Sequence, residues 1–224
     1  MLAFGLLLAA AGASTFDPSA AADLKADNAV IARETFKGVR SLRVAPATSD
    51  RNHSALVALP LPPFHDGSID LELAGEVASG ADAGARGFVG VVFRLQADNR
   101  YECFYLRPTN GRADDQLRRN HSLQYVSEPD YPWERLRQES PGVYESYADL
   151  EPGAWTRVRI EVAGVKARLY VNGAAQPALI VNDLKHGESS GAIGLWVGPG
   201  SIGHFSTLRV AGSATEGASA GAAR

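Results

Sequence analysis

At 224 residues, 45% of them hydrophobic, the chain is long enough for one good-sized core and short for two. Its formal charge of −3, from 22 Lys+Arg against 25 Asp+Glu, leaves no basic footprint for nucleic acid. One cysteine beside 23 glycines and 12 prolines excludes a disulfide framework and a cysteine-based metal site, and marks a turn-rich chain.

Residues 1–13 carry no charge and run through Leu6-Leu7-Leu8 to Ala11-Gly12-Ala13. The stretch is too short to span a bilayer but suits the apolar part of a signal peptide, with a small-x-small cleavage pattern at its end. We therefore expect an exported protein, secreted or periplasmic, with one domain over residues 14–211. Residues 212–224 are rich in Ala, Gly and Ser without periodicity and read as a frayed tail.

Between the ends the chain is written with a period of two. No sustained helical repeat bounded by caps interrupts it. Early runs fall near Ala29–Arg33, Ser41–Val44 and Ser54–Leu59. Ser68-Ile69-Asp70-Leu71-Glu72-Leu73 alternates apolar and polar residues, and Gly87–Leu95 is more apolar, as a central strand should be. Asp98-Asn99 turns the chain into Arg100–Arg107. Trp155–Val162 pairs through Ala163-Gly164 with Lys166–Val171, and Asn172-Gly173 follows as a hairpin signal. Gly191–Val197 and His204–Val210 close the domain. That makes about a dozen strands, enough for two packed antiparallel sheets.

The later pieces carry a resemblance. Gly153-Ala154-Trp155, Tyr170-Val171-Asn172-Gly173, Gly191-Ala192-Ile193-Gly194-Leu195 and Phe205-Ser206-Thr207-Leu208-Arg209-Val210 follow one another in this order. In that order the chain resembles the concanavalin A-like lectin/glucanase (laminin G-like) superfamily, in the exported bacterial branch near the 3-keto-disaccharide hydrolase-type domains. The resemblance covers about Ala29 to Val210 and implies an all-β jelly-roll sandwich. It implies sugar binding on the concave sheet face, while the fold itself hosts lectins, hydrolases, lyases and adhesion modules alike.

Alternation then nominates site residues. Val89, Val91, Phe93 and Leu95 share the core face, which leaves Arg94 on the other side with Tyr101, Tyr105 and Arg107 of the next strand. The stretch from Arg118 to Glu134 adds His121, Gln124 and Trp133, with residues 128–133 read as a loop because of its two prolines. Aromatic rings would stack on sugar faces, and arginine forks would hold hydroxyls or carboxylates. Cross-strand pairs on a solvated face would explain the strand residues equally well.

Asp70 and Glu72 have the spacing of a glycosidase pair, but simple alternation predicts them too, and the acid order of the family-16 glucanases is not matched. A lyase would draw on Tyr105, Arg94, Arg107, His121 and Gln124. The expectation is thus a carbohydrate-binding sandwich, with a glycan-cleaving enzyme and a laminin G-like protein-interaction module as alternatives. It is expected to act as a monomer without a membrane span or nucleic-acid partner. No cofactor is expected, Asp114-Asp115 and the loop near Asp183 being the places where Ca²⁺ would sit. Cys103 reads as a buried, inert thiol.

Overall fold

The computed structural model describes residues 12–48, 50 and 53–212. Residues 1–11 of the expected signal segment, and 213–224 of the expected tail, lie outside the described residues. In chain order the strands are β1 (Ser14–Phe16), β2 (Lys25–Asp27), β3 (Ala29–Phe36), β4 (Val39–Pro46), β5 (Ala55–Ala58), β6 (Gly67–Val77), β7 (Val89–Leu95) and β8 (Tyr101–Leu106). A short helix α1 (Gln116–Asn120) precedes β9 (Leu123–Glu128), and α2 (Trp133–Glu139) precedes β10 (Glu145–Ser146). The remainder are β11 (Thr156–Ala163), β12 (Lys166–Val171), β13 (Leu179–Val181), β14 (Ala192–Val197), β15 (Ser201–Phe205) and β16 (Leu208–Gly212).

These strands form two antiparallel sheets. The nine-stranded sheet runs β13-β12-β11-β6-β15-β4-β3, with β16 paired to β6 and β1 to β16; the seven-stranded sheet runs β10-β9-β8-β7-β14-β5-β2. The core lies between them. On β11, Val158, Ile160 and Val162 are buried while Arg157 and Arg159 are exposed, the signature of one packed and one wet face. Phe93, Phe104 and Tyr125 supply the facing layer from β7, β8 and β9.

The sandwich and its sheet pairing follow the sequence expectation, with three differences. Sixteen strands are present among the described residues, because β1, β2, β10 and β13 are two or three residues long and too short to show an alternation. The two helices are new for the same reason: α2 buries only Leu136 and α1 buries nothing, so neither carries an apolar stripe. The proline-rich loop therefore spans 129–132, and Trp133 opens a helix.

The turns largely hold. Gly164, at φ +58°, joins β11 to β12, and Asn99, at φ +63°, sits in the β7–β8 turn. Asn172 and Gly173 take φ of +53° and +73°, and Ala174 N donates to Val171 O at 3.1 Å, as a turn with two left-handed residues should. The returning strand β13 does not begin until Leu179, so this turn opens a longer connection rather than a two-residue hairpin. No helix among the described residues is long and apolar enough to cross a membrane.

Candidate functional site

The outer face of the seven-stranded sheet gathers most of the nominated residues. Tyr105 lies opposite Gly90 on one side and opposite Gln124 on the other, while Trp196 reaches Gly90 from the far strand. A Cβ on Gly90 would come within 2.6 Å of Tyr105 Cβ. Glycine there lets the Tyr105 and Trp196 rings meet above β7, with centroids 4.8 Å apart. Phe88 completes the pavement edge-on to Tyr105 at 6.1 Å.

Arg107 leaves the end of β8 into this corner and is only 5% exposed. Its Nη2 donates to Tyr105 Oη at 2.7 Å, and Nη1 donates to Gln124 Oε1 and the His121 carbonyl, both at 3.1 Å. The guanidinium carbon stands 4.9 Å from the Tyr105 ring centroid, 5.7 Å from that of Trp133 and 6.0 Å from that of Phe88. Gln124 is fixed in turn, its Nε2 donating to the Tyr125 and Tyr144 carbonyls. Burial pushes the Tyr105 hydroxyl up, so it stays protonated, and burial draws the Arg107 guanidinium down.

Trp133, the first residue of α2, stays 37% exposed with two guanidinium groups near its ring, Arg107 and, at 4.6 Å, Arg137. Arg137 is gripped by Glu145, with Nη2 2.6 Å from Oε2. The other Glu145 oxygen lies 3.2 Å from His121 Nε2. Burial lowers the His121 pKa, and Arg137 and Arg107 lower it further against the pull of Glu145. The imidazole is therefore held neutral, with Nε2 positioned to donate to Glu145.

Five of the seven nominated residues thus meet: Tyr105, Arg107, His121, Gln124 and Trp133; but Tyr105 and Gln124 are buried, so the expected stacking of a sugar on Tyr105 gives way to Trp133 as the exposed ring. Tyr101 shares their sheet face farther along β8, in register with Glu128, and is linked to them through a hydrogen bond between its hydroxyl and Trp196. Arg94 does not join. A register shift in the β14–β7 ladder adjoins it, and φ of +54° breaks the alternation that had put its side chain on the outer face. Its guanidinium is buried among the connections at the sheet end, bonded to Asp66 and to the carbonyls of His65, Gly164 and Gly187. Glu145, Arg137, Phe88 and Trp196 escape sequence reasoning. Glu145 lies in a two-residue strand whose pairing with Gln124 no alternation reveals.

The remaining candidates fall elsewhere. Asp70 and Glu72 belong to β6 in the other sheet, where Asp70 faces Arg159 at 3.8 Å and Glu72 stands opposite Arg157. A depression of about 400 Å³ there is lined by Asp70, Arg157, Arg159, Glu161 and Tyr170. Arg159 is paired with Glu161 at 2.9 Å, so much of that charge is spent within the sheet. Asp115 caps α1 through the Arg118 amide, and Asp183 accepts from Tyr144 and Lys185. Cys103 is fully buried, and burial pushes its thiol up.

Glu128, at the edge of the aromatic face, is held above the usual carboxylate range by burial and by Glu134 and Asp130. A carboxyl whose folded pKa exceeds its unfolded one loses stability as pH rises through that window. Glu128→Gln is therefore expected to raise the Tm at pH 7 by about 1–3 °C and to match the parent below about pH 4. Calorimetry at the two pH values decides it; a lower Tm at pH 7 would mean that the carboxylate serves a bond.

No protein-family profile and no curated protein sequence matches the chain. Solved structures do. The carbohydrate-binding module CBM66 from Bacillus subtilis shares 12% identity over 82% of this chain and 94% of its own, with a TM-score of 0.56. A protein with a galectin-like fold from Bacillus subtilis shares 11% over 85% and 89%, with a TM-score of 0.54. A Bacillus licheniformis β-glucanase shares 9% over 89% and 97%, with a TM-score of 0.52. At such identities the likeness is one of fold, and the fold is the concanavalin A-like jelly roll.

Proposed function

We propose that the protein is a carbohydrate-binding module whose ligand rests on the outer face of the seven-stranded sheet, against Trp133 and the Arg107 corner. The observation that carries this reading is the state of Trp133. An indole 37% open to solvent is held beside two guanidinium groups and next to a hydrogen-bonded Arg107–Tyr105–Gln124 network. A rigid, exposed aromatic plate with fixed polar groups beside it is a preorganised surface for the apolar face of a pyranose ring. The carbohydrate-binding module and the β-glucanase among the fold neighbours support the ligand class. An exported protein, as the apolar first 13 residues lead us to expect, would meet extracellular glycans.

Trp133→Ala is expected to weaken glycan binding about thirtyfold, from roughly 80 Å² of lost apolar contact at 25 cal/mol per Å². Calorimetry against a glycan found in an array screen measures it. Full affinity in Trp133→Ala, with loss in Arg159→Ala on the opposite sheet, would move the site to that sheet.

A second reading rests on His121. A neutral imidazole oriented by Glu145 beside two arginines has the parts of an acid–base catalyst. Time-dependent release of reducing or unsaturated ends, lost in His121→Gln, would make the module an enzyme; retained binding without product leaves it a binder.

A further inference from the structure

Three arginines lie near one another where the chain enters β7, leaves β8 and approaches β9. Arg86 turns its Nη1 onto the Ala83 and Ala85 carbonyls at 2.6 and 2.8 Å. Arg118 of α1 donates through Nε to Asn110 Oδ1 at 3.0 Å and through Nη2 to Thr109 Oγ1 at 3.5 Å. Thr109 and Asn110 stitch the cluster together. Thr109 N donates to the Arg86 carbonyl, and Asn110 Nδ2 shares the His121 carbonyl with Arg107.

All the side-chain acceptors of these three arginines are neutral. Among the described residues, none of them has a carboxylate within ion-pair distance. The nearby acids are engaged: Glu145 with Arg137 and His121, Asp115 with its helix cap. Glu145 and Glu134 act on Arg107 only as charges beyond ion-pair distance. The crowding is felt too, since burial and then the charges of Arg118 and Arg107 draw the Arg86 guanidinium down. In a chain of formal charge −3, three neighbouring arginines with no carboxylate at ion-pair distance are a local reversal. Like charges that are partly buried and unpaired are costly, and an oxyanion presented to guanidinium forks relieves that cost.

We infer that Arg86, Arg107 and Arg118 form an oxyanion subsite, and that the glycan of the proposed reading carries a carboxylate or a sulfate ester that docks there. The inference rests on that reading for its ligand and extends it by naming the substituent.

The test is calorimetry of the full chain against three oligosaccharide sets: a polyuronate, a sulfated polysaccharide and their neutral counterparts. Each is run at low and at moderate salt. One charged set is expected to bind at least about tenfold more tightly than its neutral counterpart, less so at higher salt, and its identity tells carboxylate from sulfate. Arg86→Gln and Arg118→Gln, both part-exposed and so tolerable to the fold, are each expected to remove about tenfold. Arg159→Gln, on the other sheet, should change nothing.

Equal affinity for charged and neutral glycans, unaltered in both glutamine variants, would overturn the subsite and leave the binding module standing. Should no glycan bind, the proposed function fails, and inorganic sulfate decides the subsite alone. A sulfate-dependent rise in Tm that disappears in the Arg86→Gln/Arg118→Gln double variant supports it, and no rise in the parent overturns it.

Discussion

Replacing Arg94 by alanine is expected to cost about 3–5 kcal/mol of folding stability and to leave the ligand affinity of the folded molecules unchanged. The side chain is 1% exposed and makes four bonds of 2.9–3.0 Å, one to the Asp66 carboxylate and three to carbonyls. Those carbonyls belong to His65, before β6, to Gly164 in the β11–β12 turn, and to Gly187 in the connection toward β14. One guanidinium thus ties together connections from both sheets. Alanine would leave the Asp66 carboxylate with only the Gly164 amide and His65, and three part-buried carbonyls short of a donor; lysine offers too few donors in the wrong geometry to replace the fork. Urea titration of Arg94→Ala, read beside glycan calorimetry, separates the two roles. A stable variant that has lost binding would return Arg94 to the site.

Tyr125→Phe is expected to destabilise the protein by about 2–4 kcal/mol, although it removes a single oxygen. Tyr125 donates to Glu102 Oε2 at 2.5 Å in a region where Glu102 is 0% exposed. Burial, and then the Glu102 charge, raise the Tyr125 hydroxyl far above its usual range, so it remains a donor. The pair also receives two backbone amides from outside the sheet: Lys185 N reaches Tyr125 Oη at 2.9 Å, and His186 N reaches Glu102 Oε1 at 3.1 Å. Phenylalanine would leave a buried carboxylate short of its strongest partner and free the Lys185 amide. The check is a double-mutant cycle with Glu102→Gln, in which the pair should cost clearly less than the sum. Amide exchange should speed up at Lys185 and His186 before it does in the core strands. Additive losses would mean that the two groups act independently.

Much of the architecture was legible because burial imposes a two-residue period on any strand long enough to repeat it. β6, β7, β8 and β11 read directly, and so did the meeting of Tyr105 with Arg107, since alternation put both on one face and the next strand brought Gln124 beside them. Arg94 shows where this reasoning fails. It sits two residues from Val92 and ought to share its face, yet one left-handed backbone angle beside a ladder irregularity sends the side chain elsewhere. Nothing in the side-chain pattern announces such an angle. Glu145 and Arg137 were illegible for a different reason: their contact joins a two-residue strand to a helix with one buried residue, and neither is long enough to have a period. The arginine cluster was visible only as scattered positions, because it depends on how the Pro108–Asn110 turn folds back against α1.

The pairing of β1 with β16 has a mechanical consequence. Ser14 faces Val210 and Phe16 faces Leu208, so the chain enters and leaves the nine-stranded sheet at the same end of one antiparallel ladder. A force that draws the two ends apart would act along the hydrogen bonds, across the strands, and load them one at a time from Ser14 inward. Such a ladder peels like a zipper at low force, whereas a ladder pulled along its strands must break many bonds together. β16 would still be held by β6 after β1 has come away. Tension carried through both ends would therefore strip the first strand before it disturbed the aromatic residues of the opposite sheet.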